Sequence, residues 1–130
     1  MTDSIADMLS RIRNAQAVKK KTAIIPYSNL KWEILSAFEK YGFVGELNKF
    51  GRGAKKTIEV ALKYTKDNSP KIINLKRVSK PSRRVYVGAK QIWPLKRGSG
   101  TMIISTPKGI MTDKEAKKEN TGGEVLLEIY

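Results

Sequence analysis

The chain has 130 residues and a formal charge of +14, from 26 basic and 12 acidic side chains; 40% of it is hydrophobic, and it contains neither cysteine nor histidine. That length makes one domain, or two small lobes sharing an interface, around a real core, and so excludes a merely charged, disordered tail. The missing residue types exclude disulfides, thiolate and imidazole metal ligands, and a histidine general base.

In chain order, residues 4–17 read as a helix. Ile5, Met8, Leu9 and Ile12 recur on one face, and Ser4 with Asp7 resembles a capping box. Arg11 and Arg13 flank that stripe, Asn14 lies opposite it, and Lys19-Lys20-Lys21 end the element. This opening is amphipathic rather than a basic signal peptide, and every apolar run is too short for a bilayer, so a soluble cytoplasmic protein is expected. A second helix follows Pro26, with Ser28 or Asn29 as N-cap and Gly42 at the C-terminal cap. Its expected buried face is Leu30, Ile34, Leu35, Phe38 and Tyr41.

The hydrophobic period then changes to two. Strands at residues 43–50 and 55–64 flank the hairpin turn Gly51-Arg52-Gly53, and a third strand is expected at 71–78. Residues 1–78 thus form an N-terminal lobe of helices on a small, largely antiparallel sheet. Ser79-Lys80-Pro81-Ser82-Arg83-Arg84 has linker chemistry, with a proline unsuited to a central strand. Residues 79–130 read as a β-rich C-terminal lobe with short strands at 85–87, around Gln91-Ile92-Trp93, at 101–105 and at 124–130. Arg97-Gly98-Ser99-Gly100 reads as a loop, and Thr112 with Glu115 opens a brief helix near 113–119, ended by Asn120 and Gly122-Gly123. The fold class is α+β, in two lobes, with no internal repeat.

Charge is distributed unevenly along this plan. Residues 68–112 contain no Asp or Glu but ten cations: Lys71, Lys76, Arg77, Lys80, Arg83, Arg84, Lys90, Lys96, Arg97 and Lys108. Self-repulsion over a third of a chain is tolerated most readily when a polyanion neutralises it, which points to nucleic acid.

Three constellations could carry the chemistry. Arg83 and Arg84 beside Tyr86 combine phosphate attraction with an aromatic that can pack on a ribose or base, although Tyr86 at strand spacing is equally a core residue. In Ser105-Thr106-Pro107-Lys108-Gly109 a strand ends in two hydroxyls, a turn, a cation and a glycine. Hydroxyls suit base edges and the 2′-OH, and Lys108 suits phosphate; on these residues alone an ordinary turn is the better reading. Gly122-Gly123-Glu124 is a tight turn before a solvated carboxylate, or an acid that accepts from a base amino group or holds a neighbouring cation. The glycine loops match no nucleotide-binding fingerprint, and Trp32 and Trp93 suit packing better than stacking.

Taken in order, these segments resemble the bacterial small-subunit ribosomal protein S-eight family over essentially the whole chain. The blocks that carry the resemblance are residues 3–15, Ile25-Pro26-Tyr27-Ser28-Asn29-Leu30-Lys31, Tyr41-Gly42-Phe43-Val44, Pro81-Ser82-Arg83-Arg84-Val85-Tyr86, residues 103–113 and Gly122-Gly123-Glu124-Val125-Leu126. The resemblance implies a primary binder of small-subunit ribosomal RNA that docks on an irregular central-domain helix and assists subunit assembly. It implies that Ser105, Thr106, Lys108 and Gly109 lie in the loop that reads the RNA, flanked by Arg83, Arg84 and Tyr86, with Gly122, Gly123 and Glu124 shaping the adjoining wall. It further implies RNA contacts from Arg13, Asn14 and Lys31 on the N-terminal lobe, neighbouring ribosomal proteins five and twelve, and a monomer outside the ribosome. No cofactor, metal or catalytic residue is implied. This chain departs from the family pattern at Pro107, where serine is common, at the inserted Trp93, at Ser99 in place of leucine, and at Leu127 in place of cysteine.

The mechanism expected from these residues separates affinity from discrimination. Lys and Arg contacts to phosphates supply affinity and orientation, and a few hydroxyl and acid contacts read a distorted helix, because the A-form major groove is too narrow for side chains. An enzyme acting on nucleic acid would need clustered carboxylates, and the acids here are scattered. A regulator that represses an mRNA would use the same surface as the ribosomal reading.

Overall fold

A computed structural model of the chain describes residues 3–92 and 100–130. The residues divide into two compact units, Ser4–Ile72 and Ile73–Tyr130, the second including Asp3. Helices and antiparallel sheets make the class α+β, as expected.

In the first unit α1 (Ser4–Ala17) buries Ile5, Met8, Leu9 and Ile12, the stripe read from the sequence. β1 (Thr22–Pro26) follows, a strand the sequence reading passed over because a basic run and a proline bracket its short alternation. α2 (Asn29–Lys40) is capped by Ser28, whose side chain accepts from the Lys31 N–H at 3.1 Å. Its far end closes when Gly42 N–H donates to Glu39 O and Phe43 N–H to Phe38 O, the pattern of a glycine just past a helix end. Ile34, Leu35 and Phe38 are buried as expected, but Leu30 and Tyr41 are exposed. They lie at the two ends of the helix, and Lys31 is buried instead.

β2 (Val44–Phe50) and β3 (Thr57–Leu62) form the expected hairpin, with a 3-10 turn at Gly53–Lys55, and the sheet order is β1-β3-β2. The pairs Ile25↔Ile58 and Ala23↔Val60 set buried residues opposite one another, so one sheet face carries the core of this unit. Tyr64, expected on the strand, lies past it and bridges Pro70, while its hydroxyl donates to Lys20 O at 2.5 Å. Within the run Lys19-Lys20-Lys21, Lys19 is committed to structure. Its ammonium donates to the Asn68 carbonyl and lies over the Tyr64 ring.

The second unit is a five-stranded antiparallel sheet built around β8 (Gly123–Ile129). On one side of β8 runs β6 (Thr101–Thr106), which pairs in turn with β7 (Gly109–Thr112), a strand missed because it is so short. On its other side lie β4 (Leu75–Arg77) and β5 (Tyr86–Val87). The strand expected at 71–78 therefore shrinks to Leu75–Arg77 and pairs with the last strand of the chain rather than with the N-terminal sheet. The strand expected around Gln91-Ile92-Trp93 is instead a 3-10 turn at Ala89–Gln91. Trp93 and most of the loop Arg97-Gly98-Ser99-Gly100 lie outside the described residues, as do Lys96 and Arg97.

α3 (Asp113–Lys118) covers the core of this unit with Ala116, packed among Val87, Ile92, Met102, Ile104 and Val125. The capping box read from Thr112 and Glu115 is formed, Thr112 Oγ1 accepting from Glu115 N–H at 3.2 Å and Glu115 Oε1 accepting from Thr112 N–H at 3.2 Å. Leu127 is fully buried, so its departure from the family pattern fills core space. Arg77, with 9% of its side chain exposed, is neutralised by Asp3 at 3.0 Å.

Candidate nucleic-acid interface

The linker chemistry of residues 79–84 builds something other than a linker. The backbone runs along β8 as far as Ser79, whose N–H donates to Val125 O, and resumes at Val85, whose carbonyl accepts from Val125 N–H. Residues 80–84 bulge out of this edge between two positions that face the same β8 residue. Two bonds between Lys80 and Arg83 close the bulge, Lys80 N–H to Arg83 O at 2.9 Å and Arg83 N–H to Lys80 O at 3.0 Å. Pro81 is tolerated because its missing N–H falls inside the turn. Ser79 pins the neck: its fully buried hydroxyl accepts from Val85 N–H at 2.8 Å and donates to Val85 O at 3.2 Å. The result displays Lys80, Arg83 and Arg84 as exposed cations on a fixed base.

Downstream of the bulge, strand register lines up three of the residues singled out from the sequence. Tyr86 on β5 pairs with Glu124 on β8, and Glu124 pairs with Ser105 on β6. Directly paired residues share a sheet face, so phenol, carboxylate and hydroxyl form one row about 10 Å long, at the usual strand spacing. Their neighbours Ile104 and Val125 are fully buried, which turns the row to the opposite side from that core. Tyr86 is 70% exposed, which removes the core reading of that residue. Glu124 accepts from Arg84 Nη1 at 3.0 Å, so the acid holds a neighbouring cation, one of the two roles open to it. Ser105 is half-buried, and its hydroxyl has no hydrogen bond among the described residues.

The two hydroxyls of the Ser105-Thr106 pair have different fates. Thr106 is buried, and its Oγ1 donates to Gly109 O at 2.8 Å while accepting from Lys108 N–H at 3.1 Å. It therefore shapes the β6–β7 turn, in which Thr106 pairs with Gly109 across Pro107 and Lys108. A proline fits the first central position of such a turn, and Gly109 takes φ +115, open to glycine above all. Pro107, the departure from the family pattern, thus leaves the turn's own side-chain bonds intact. Lys108 projects from the tip, within 3.8 Å of the exposed Glu119.

Gly122 and Gly123 are required by close approach. A Cβ on Gly123 would lie 2.0 Å from Ser105 O, and one on Gly122 would lie 2.2 Å from Val87 O. Both neighbours are backbone, so these residues let three strands close up beneath the row. The plain-turn reading of the pair gives way to a packing one.

The remaining predicted residues belong to the other unit. Arg13 and Asn14 are exposed on α1. Lys31 is 7% exposed, and its ammonium donates to Pro26 O at 3.2 Å, tying the end of β1 to α2. Sequence reasoning named Lys76 and Lys80 only as members of the acid-free run; they line a cleft with Arg83 and Glu128 beside the bulge. It missed Ser79 for want of any signal: a buried serine that ties two segments reads as a linker serine.

A polar row bordered by exposed cations thus lies along one antiparallel sheet, and among the described residues no cluster of three or more acids could hold a metal ion. The chain belongs to the ribosomal protein S8 family, whose model matches residues 3–130. It is 51% identical over 130 residues to the "Small ribosomal subunit protein uS8" of Mycoplasmopsis agalactiae, covering 100% of this chain and 98% of that protein. The proteins of the same name from Ruthia magnifica and Leptospira biflexa are 49% and 43% identical, each over 100% of this chain and 98% of the relative. The family is a structural constituent of the ribosome rather than an enzyme.

Proposed function

We propose that this protein is a primary ligand of small-subunit ribosomal RNA in the cytoplasm, and that it reads an irregular helix of the central domain during subunit assembly. The row Tyr86–Glu124–Ser105 carries the reading. It offers a ring face, a carboxylate acceptor and a hydroxyl that both donates and accepts, the set suited to unstacked bases and 2′-OH groups. Arg83, Arg84 and Lys108 take phosphates at its borders, with Lys76 and Lys80 adding to the field. Gly122 and Gly123 keep the floor flat enough for RNA to approach, and Thr106 and Gly109 act by holding the turn that presents Lys108. On the first unit Arg13 and Asn14 take phosphate or ribose, and Lys31 supports that surface from within. Ribosomal proteins five and twelve are the neighbours expected by family resemblance, with the protein monomeric outside the ribosome.

The test is filter binding to a central-domain rRNA fragment against an equal-length perfect duplex, across a salt series. A preference for the fragment that persists as salt rises supports the reading. Equal binding, lost together, leaves only generic phosphate affinity.

A further inference from the structure

The β2–β3 turn of the first unit holds a second concentration of charge that the rRNA-reading row does not use. Between Leu47 and Ile58 stand Lys49, Arg52, Lys55 and Lys56, with no acid among them. Two of these ammonium groups are held by rings rather than by carboxylates. Lys49 Nζ lies 4.3 Å from the Trp32 centroid and 5.4 Å from that of Tyr27, and Lys56 Nζ lies 4.0 Å from the Tyr27 centroid. The rings themselves are set: their centroids are 6.4 Å apart, and the Tyr27 hydroxyl donates to Asn29 Oδ1 at 2.9 Å. Neither lysine has a carboxylate partner among the described residues, whereas Arg11 in the same unit is paired with Asp7 at 2.9 Å.

Two like charges gathered around one phenol ring repel each other, and ring faces only partly offset that repulsion. An anion between them would remove it. An ammonium that lies over a ring and is offset by no carboxylate still gains from an anionic oxygen. Arg52 and Lys55, both exposed on the adjoining turn, add two more cations to the same hairpin end. Exposed cations beside partly buried aromatic rings are the combination that single-stranded nucleic-acid sites use. We infer that Lys49 and Lys56, with Arg52 and Lys55, form a second RNA-backbone site on the unit Ser4–Ile72, with Tyr27 and Trp32 placing its lysines. It is independent of the Tyr86–Glu124–Ser105 row, and an acidic protein segment is the competing occupant.

Trp32 supplies a direct readout, because Trp32 and Trp93 are the only tryptophans and a W93F variant reports Trp32 alone. The full-length W93F protein is titrated with fluorescein-labelled single-stranded RNA of about 12 nucleotides, following anisotropy and Trp32 emission together. Binding should change Trp32 emission, and adding K49Q/K56Q should abolish that change and lower the salt slope of log K by about 1.4, two single-strand phosphate contacts. Adding S105A/E124Q should leave the Trp32 response intact, which separates this site from the rRNA reading. A flat Trp32 signal while anisotropy reports binding would overturn the inference. So would an equal Trp32 response to an oligoglutamate peptide of the same charge, which would assign the patch to acidic protein. Should W93F fold poorly, amine acetylation of the wild-type protein decides the matter: RNA should protect Lys49 and Lys56, and unchanged labelling would count against the site.

Discussion

Ser105 and Thr106 are adjacent hydroxyls with separable duties. Ser105 faces outward in the polar row with its hydroxyl unengaged by the described residues, whereas Thr106 Oγ1 makes both side-chain bonds of the β6–β7 turn. S105A should change unfolding free energy by no more than about 0.5 kcal/mol, as surface substitutions do, while reducing the preference for rRNA fragment over duplex. T106V keeps the shape and removes both part-buried bonds of the turn, and should cost about 1–3 kcal/mol in denaturant unfolding, two bonds of about 0.5–1.5 kcal/mol each. Gly123 sets a harder limit. A Cβ there would meet the Ser105 carbonyl oxygen at 2.0 Å, and backbone cannot swing aside like a side chain. G123A should therefore exceed the about 1–3 kcal/mol usual for overpacking, and thermal melts should show it as the worst of these substitutions.

At the scale of elements, the bulge at 80–84 stands or falls with Ser79. S79A removes a fully buried hydroxyl that serves both the N–H and the carbonyl of Val85. The unsatisfied N–H should cost about 1–3 kcal/mol, and hydrogen exchange should quicken in residues 80–87 before the rest of the sheet. Periodicity and capping were legible beforehand. The buried stripe of α1, the hairpin of β2 and β3, and the Thr112–Glu115 box all lie where local pattern places them, because a helix face or a cap is decided within a few residues. What sequence could not show was pairing at a distance. Nothing local reveals that Leu75–Arg77 joins the chain's last strand, or that a proline and two serines make a pinned bulge rather than a linker. The site shared this limit: Tyr86, Ser105 and Glu124 were each visible as chemistry, but only register puts them in one row. Lys31 shows the converse, a cation whose position in a motif gave no hint that its ammonium is spent on Pro26 O.

For the whole molecule, a net charge of +14 guarantees some affinity for any RNA, so affinity alone says little about recognition. The Arg84–Glu124 pair allows the two to be separated. Exposed on the arginine side, with 49% of that side chain accessible against 17% for the glutamate, the pair adds little to stability but fixes where both groups point. R83Q removes one cation that has no ion pair among the described residues, and should flatten the salt slope of log K by up to about 0.9 on a duplex-rich target while weakening fragment and duplex alike. The double variant R84Q/E124Q removes one charge of each sign and leaves the net charge unchanged. Its long-range attraction for RNA is preserved, so the salt slope and the affinity for perfect duplex should stay close to wild type. Yet the row loses its carboxylate and the cation oriented by it, so the preference for the rRNA fragment should fall. R84Q alone should be worse than the double variant, because Glu124 would then present an unbalanced negative charge to phosphate. If the double variant kept full preference, the row would not be the reader, and recognition would have to be sought among Lys108 and the cations of the bulge.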